Sequence, residues 1–519
     1  MMRSFDHDQR DRKSPRRGGK TAPGQGMRKR ICGFLAAWLL LAAVPAGAPA
    51  EQADLLVIEN VIYGPGYPDT GKVEAAINAI TGPLMNAEVR ILNVDIGTHS
   101  HRINQMIANG EQIDLVMAGL TTPMVQMALE GRLLPLDQLL EAEGPEVKAL
   151  FGERLEAGRV DGTLYAIPAD AYAAKAGGFV YNKQIAEELD ITLPNAVTIS
   201  ELEEIFRRIA EELPGIHGTT FGNGETCNFS YEYCVENYGT ENFLYGATLD
   251  PHRSTRVENL FATEAFRDYA LRHREWVRRG FAPSGTLTGG VRSYEYLGAG
   301  KVFGMTTAYS PIEESVQQGN YTFPIGITSL TQAVNSTASN QERMWGIPVT
   351  SPHPEKAMRF LNLMFSSPEI ANLLSNGLEG VHYVETEPGV ITHAPGADPA
   401  RPGYGSVFSR FGNQMQVKHW VPTTPDFYRE LASFNEQAQD SLSLGYVFNG
   451  EGVASEIAAV TAVVSLYLPP LECGMLEDVD GALAEFNEKL QSAGIDRIVA
   501  ENQRQLDAWL AEKNEPPES

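Results

Sequence analysis

From Asp54 onward, short apolar strands alternate with amphipathic helices, and this alternation constrains the fold more than any other feature of the chain. Residues 55–58, 89–94 and 113–117 read as strands; Val73, Ala76, Ile77 and Ile80 mark one helix, and Ile103, Met106 and Ile107 another. Three strands with two intervening helices in about 60 residues predict a right-handed parallel α/β layer. Ligands of such layers sit beyond the carboxyl ends of the strands. The loops 63–69, 95–100 and 119–122 are therefore expected to edge a cleft, with Tyr63, Asp95 and Thr121 as candidate ligand contacts.

The start of the chain must be set aside before the fold is argued. Met27-Arg28-Lys29-Arg30 is a basic segment, residues 31–44 are apolar, and Ala48-Pro49-Ala50 is an A-x-A cleavage site, so residues 27–50 read as a signal peptide cut after Ala50. Residues 1–26 are polar and basic, and translation is expected to begin at Met27. The apolar run is shorter than the roughly 20 residues a membrane span needs, and no later stretch competes with it. Cys32 precedes this run, whereas a lipid-modified cysteine would close it, so a free periplasmic or secreted protein is expected. Ten of the 41 basic and three of the 66 acidic residues lie in the first 50, and their removal takes the net charge from −25 to −32. So acidic a surface repels phosphate backbones and argues against nucleic acid as a partner. In an oxidising compartment Cys227 and Cys234 are expected to form a small-loop disulfide worth roughly 2.5 kcal/mol. Cys473 is expected to be a buried free thiol.

Residues 345–384 carry the most specific pattern. A short apolar strand precedes a helix whose Ala357, Phe360, Leu361 and Met364 form a buried stripe. A second helix follows, with Ser367 as its N-cap, Pro368 at its first position, an apolar face of Ile370, Leu373 and Leu374, and Gly377 as its stop. This order resembles the crossover segment of the bacterial extracellular solute-binding proteins, family 1, the soluble receptors of ABC importers. The G-L-E-G-V-H-Y-V tail, the F-G-N-Q-M-Q-V-K-H-W segment from Phe411 and the G-I-D-R-I-V-A-E-N-Q-R-Q-L-D-A-W-L segment from Gly494 are similar to a lipoprotein-type subgroup associated with complex-carbohydrate uptake.

The resemblance implies a two-lobed α/β fold with a three-segment hinge and an extended helical C-terminal region. It assigns residues 51–167 and 304–366 to lobe one and residues 168–303 and 367–512 to lobe two, with a disordered tail at 513–519. The three crossings are expected after residue 160, near 298–311 and near 365–368. It further implies an exported monomer that captures an oligosaccharide between its lobes, passes it to a membrane permease, and needs no cofactor or metal. Sugar clefts mix aromatic faces with polar side chains, and the crossover segments supply both in Asp170, Tyr172, Tyr309, Trp345, His382 and Trp420. Trp276 and Trp509 fall on helical apolar faces and read as core.

Other chemistry is poorly supported by the residues. His99-x-His101 is the only close histidine pair, and it lacks further ligands at zinc spacing, so a polar helix start explains it. Asp478-V-D-G fails as a calcium loop because Leu476 and Asn487 fall at ligand positions. The chain has no G-x-S-x-G, H-E-x-x-H or phosphate-loop motif. A secreted glycoside hydrolase and a sensor component for a membrane kinase are the alternatives to a transport receptor.

Overall fold

The computed structural model describes residues 53–513 apart from 170–172, 223–225, 240–241, 290, 312, 319–320, 400, 408 and 422–426. The leader, its cleavage site, Asp170, Tyr172 and the tail lie outside the described residues.

Strand β1 (Asp54–Ile62) is buried on both faces from Leu56 through Ile62. Burial on both faces is what a strand inside a layer covered by helices shows, and here it encloses Glu59 and Asn60 among apolar neighbours. It pairs in parallel with β2 (Ala87–Asp95) from Asp54↔Ala87 to Ile62↔Asp95. The crossover helix α1 (Thr70–Met85) buries Val73, Ile77, Thr81 and Met85, one residue per turn on a single face. Helix α2 (His99–Ala108) follows, and a parallel bridge between Ile58 and Leu115 brings β3 (Val116–Ala118) to the other side of β1. The parallel layer expected from the alternation is therefore present. It continues antiparallel through the strand Met344–Gly346 to Ala166–Pro168.

A second sheet has Ala176–Asn182 at its centre, flanked antiparallel by Gly304–Tyr309 and Ile325–Ser329. This pairing corrects the segment assignment. Residues 304–329 belong with 176–182, not with lobe one, because six register pairs join Gly304–Tyr309 to the central strand. Residues 367–411 belong with lobe one, because Ile370, Leu374, Tyr404 and Phe411 share one core with Leu56, Val73 and Phe360. The two helices Pro354–Ser366 and Pro368–Asn376 thus stay on lobe one, and no crossing lies between them. Their local signals are as expected: Ser367 Oγ accepts from Ile370 N at 3.3 Å, Pro368 opens the helix, and Gly377 ends it at φ +79°.

Lobe two has a core around Phe179, Phe206, Trp276 and Phe303, and a helical extension around Phe229, Phe266, Val464, Phe486 and Ile498. The extension is built from Ala454–Glu472, Val479–Ala493 and Ile495–Lys513. Trp276 is fully buried, and Trp509 packs half-buried against the extension, in line with their helical positions. One expectation fails here: among the described residues the helix at Glu451–Glu472 is long and apolar enough to cross a membrane by length and composition. Its Val460, Val464, Leu468 and Leu471 are buried in the core of the extension.

Three segments connect the lobes. Lys175 exchanges backbone hydrogen bonds with Val334 at 2.9 and 2.7 Å, and Val334–Asn335 pairs in parallel with Gln439–Asp440. Asn335 Nδ2 donates to Asp440 Oδ1 at 2.9 Å, and Ala174 N donates to Asn435 Oδ1 at 3.0 Å. Among the described residues the hinge ladder is made by Lys175, Val334–Asn335 and Gln439–Asp440, and the last two lie downstream of the expected crossings. So short a ladder can rotate through a few backbone angles while each lobe keeps its own core.

Candidate functional site

A cavity of about 910 Å³ opens beside this hinge, within the size range of small-ligand sites. Gly119, Pro123, Met124, Val125 and Leu129 line it from lobe one, the last three on helix α3 (Met124–Leu129). Tyr231, Tyr233, Cys234, Glu236 and Tyr238 line it from lobe two, and Tyr446, Phe448 and Ile457 from the C-terminal region. Lys175, Gln332, Ser336, Gln341 and Glu342 line it from the hinge. Gly119 stands where the lobe-one loop meets the second hinge segment: its φ is +92°, and a Cβ there would lie 2.0 Å from the Gln341 carbonyl oxygen. Only glycine permits that approach.

The polar groups are distributed unevenly around the walls. Lys175 forms an ion pair with Glu342 across two hinge segments. Glu236 is 2 % exposed, and burial pushes its carboxyl up to about 7 despite the hydroxyls of Ser441 and Ser443. Its Oε2 has no hydrogen-bond partner among the described residues. A buried acceptor left in this state costs stability unless something supplies a donor.

The expected contacts are scattered by the structure. Thr121 stands exposed on the loop between Gly119 and Pro123, its Oγ1 2.5 Å from His99 Nδ1. Tyr63 is 68 % exposed at the carboxyl end of β1, and Asp95 binds the backbone N–H groups of Gly64 and Gly97 at 2.6 and 3.0 Å, so it shapes the neighbouring turns. Tyr309 is half-buried with its ring edge-on to Phe434, at 5.7 Å between centroids. Trp345 is corrected to core. It is fully buried, stacks on Phe411 at 5.4 Å, and donates its Nε1–H to the Arg410 carbonyl at 2.8 Å. Its strand lies between two others, so the ring faces lobe one's interior.

His382 is likewise a packing residue: Nδ1 accepts from Leu378 N at 2.8 Å, and Nε2 faces Asp69 Oδ2 at 3.3 Å. Trp420 donates to Asn376 Oδ1 at 3.0 Å and packs on His393, within the small sheet of Tyr383–Glu387, Val390–His393 and His419–Trp420. None of Tyr63, Asp95, Thr121, Tyr309, Trp345, His382 or Trp420 lines the cavity.

The expected disulfide is also corrected, since Cys227 and Cys234 are free thiols. Cys227 packs in the core with Phe229 and Phe243, whereas Cys234 faces the cavity and His252 Nε2, 3.4 Å from its Sγ. The short helix Phe229–Glu232 between them sends the two side chains different ways. Burial raises both thiols, Cys234 to about 11. Cys473 is a buried free thiol, as its sequence setting suggests. The lobe-two wall of the cavity is this same segment. Its run F-S-Y-E-Y-C-V-E-N-Y carried an aromatic density that the spacing of its cysteines obscured.

Residues 442–511 match the family model described as a domain of unknown function, DUF3502. A carbohydrate ABC transporter substrate-binding protein of Streptococcus pneumoniae serotype 4 (strain ATCC BAA-334 / TIGR4) is 24% identical over 475 residues, covering 89% of this chain and 93% of that protein. The crystal structure of the N-glycan transport solute binding protein NgtS from Streptococcus pneumoniae superposes with a TM-score of 0.76 at 22% identity, over 89% of this chain and all of that one. In complex with Man1GlcNAc, NgtS superposes with a TM-score of 0.69 at 21% identity, over 88% and 100% of the two chains. Over most of its length the chain is similar to a carbohydrate ABC transporter substrate-binding protein, and it has the two-lobed fold of the solute binding protein NgtS.

Proposed function

We propose that this protein is an exported, monomeric receptor that captures an oligosaccharide between its lobes and delivers it unaltered to the membrane permease of an ABC importer. The observation that carries this reading is the cavity itself. It is bounded by both lobes beside a three-strand hinge and lined by tyrosines interleaved with Glu236, Gln332 and Gln341. Aromatic faces suit the apolar sides of sugar rings, and the carboxylate and amides suit their hydroxyls. The likeness to a carbohydrate-transport receptor and to NgtS supports an oligosaccharide of the mannose and N-acetylglucosamine type.

A ligand held by both walls binds the closed arrangement better than the open one, and that difference in affinity drives closure. Closure brings both lobe tips into one geometry for the permease. A thermal-shift series over mannose- and N-acetylglucosamine-containing oligosaccharides, with peptides as controls, tests the ligand class. A true ligand at 100 times its dissociation constant adds about 2.7 kcal/mol. Stabilisation by peptides alone would refute the class, and release of shortened sugars during incubation would replace the receptor reading with a hydrolase.

A further inference from the structure

We propose that the cavity selects neutral oligosaccharides and rejects acidic ones, because its one lining cation is already neutralised and the other charged groups on its walls are carboxylates. The proposal rests on the reading of the cavity as an oligosaccharide site and names the charge class of its ligand.

Among the described residues, Lys175 is the one cation that lines the cavity, whereas Glu130, Glu236, Glu342 and Glu451 all line it. The Lys175 ammonium meets both carboxylate oxygens of Glu342 across the hinge. A ligand carboxylate could claim that cation only by displacing Glu342. Arg343 Nη1 lies 3.9 Å from the same carboxylate but does not line the cavity. Glu130, at the lobe-one rim, is held by Arg132 Nη2 at 2.7 Å and Gln126 Nε2 at 2.8 Å, so Arg132 is also engaged. Glu236 is 2 % exposed, and its Oε2 has no hydrogen-bond partner among the described residues. To that oxygen a ligand carboxylate brings only another acceptor.

The pattern repeats where the cavity adjoins a second one, of about 1010 Å³, at the exposed Glu451. Both arginines that line the second cavity are paired. Arg159 donates to Glu156 and Asp137 at 2.9 and 2.7 Å, and Arg504 donates to both oxygens of Glu501 at 2.9 and 2.7 Å. The chain as a whole carries a net charge of −25, which adds a field of the same sign. A neutral sugar loses nothing in such a site, because its hydroxyl and acetamido donors suit carboxylate acceptors. An acidic sugar must shed its water with no unengaged cation to replace it, and it meets like charge as it does so.

Matched probes test the proposal by titration of the full chain at low ionic strength. They are Man1GlcNAc, the same disaccharide oxidised at C6 of either ring to a carboxylate, and the corresponding C6 amides, which keep the shape without the charge. Each acid is expected to bind about tenfold more weakly than its amide, and the gap should narrow at high salt. In Glu342→Gln, which takes the ion pair from Lys175, the amide-to-acid affinity ratio should fall by about threefold or more. Acids that bind as well as their amides in the wild type would overturn the proposal and leave the oligosaccharide reading standing. A wild-type gap that persists unaltered both in high salt and in Glu342→Gln would overturn charge as its cause. Binding of none of these sugars would defeat the mannose and N-acetylglucosamine reading itself, and the charge proposal with it.

Discussion

Lobe one and lobe two meet the cavity with different materials. Lobe one presents aliphatic side chains on α3 and a loop pressed against the hinge. Lobe two presents tyrosines from an irregular segment, and its buried carboxylate, Glu236, keeps one oxygen without a partner. An aliphatic wall offers a ligand apolar contact alone, whereas tyrosines add ring faces and hydroxyls that can bond polar groups. On the receptor reading proposed above, ligand chemistry would be read mainly on lobe two, with lobe one supplying an apolar face.

The strongest challenge to this contrast is Trp345→Ala. If lobe one is a rigid frame, the substitution should cost about 3–5 kcal/mol of stability in denaturant unfolding. Stability at the wild-type level, with lost binding instead, would return Trp345 to the ligand site. Next in size is Glu236→Gln. The folded-state pKa of about 7 lies above the ordinary 4.5, so the folded protein holds an extra proton between these values and its stability falls as pH rises from about 4.5 to 7. Removing the ionisable group should raise stability by up to about 3 kcal/mol at pH 8 and change little near pH 4. Equal effects at both pH values would show that Glu236 does not titrate in this range.

Tyr231→Ala sharpens the comparison from the other wall: glycan affinity should fall about tenfold, near 1.4 kcal/mol, with the unfolding midpoint almost unchanged. Smallest is Glu342→Gln at the hinge. Its ion pair with Lys175 is partly exposed, so unfolding should shift by less than about 1 kcal/mol. A larger loss would make the pair a lock between the lobes.

The sequence by itself determined the features that depend on near neighbours along the chain. The strand and helix alternation from Asp54, the Ser367 cap, Pro368 and the Gly377 stop all act within a few residues, so periodicity and capping chemistry expose them. The resemblance carried the two-lobed fold, and of the strand-end loop 119–122 Gly119 lines the cavity. Only the tertiary structure decided which lobe owns residues 304–329 and 367–411, because strand pairing and helix packing join positions far apart in sequence. It also turned Trp345 inward and parted Cys227 from Cys234. The physical reason is common to all of these. A residue type declares what chemistry it can perform, but which way its side chain faces is settled by partners that the local pattern does not contain.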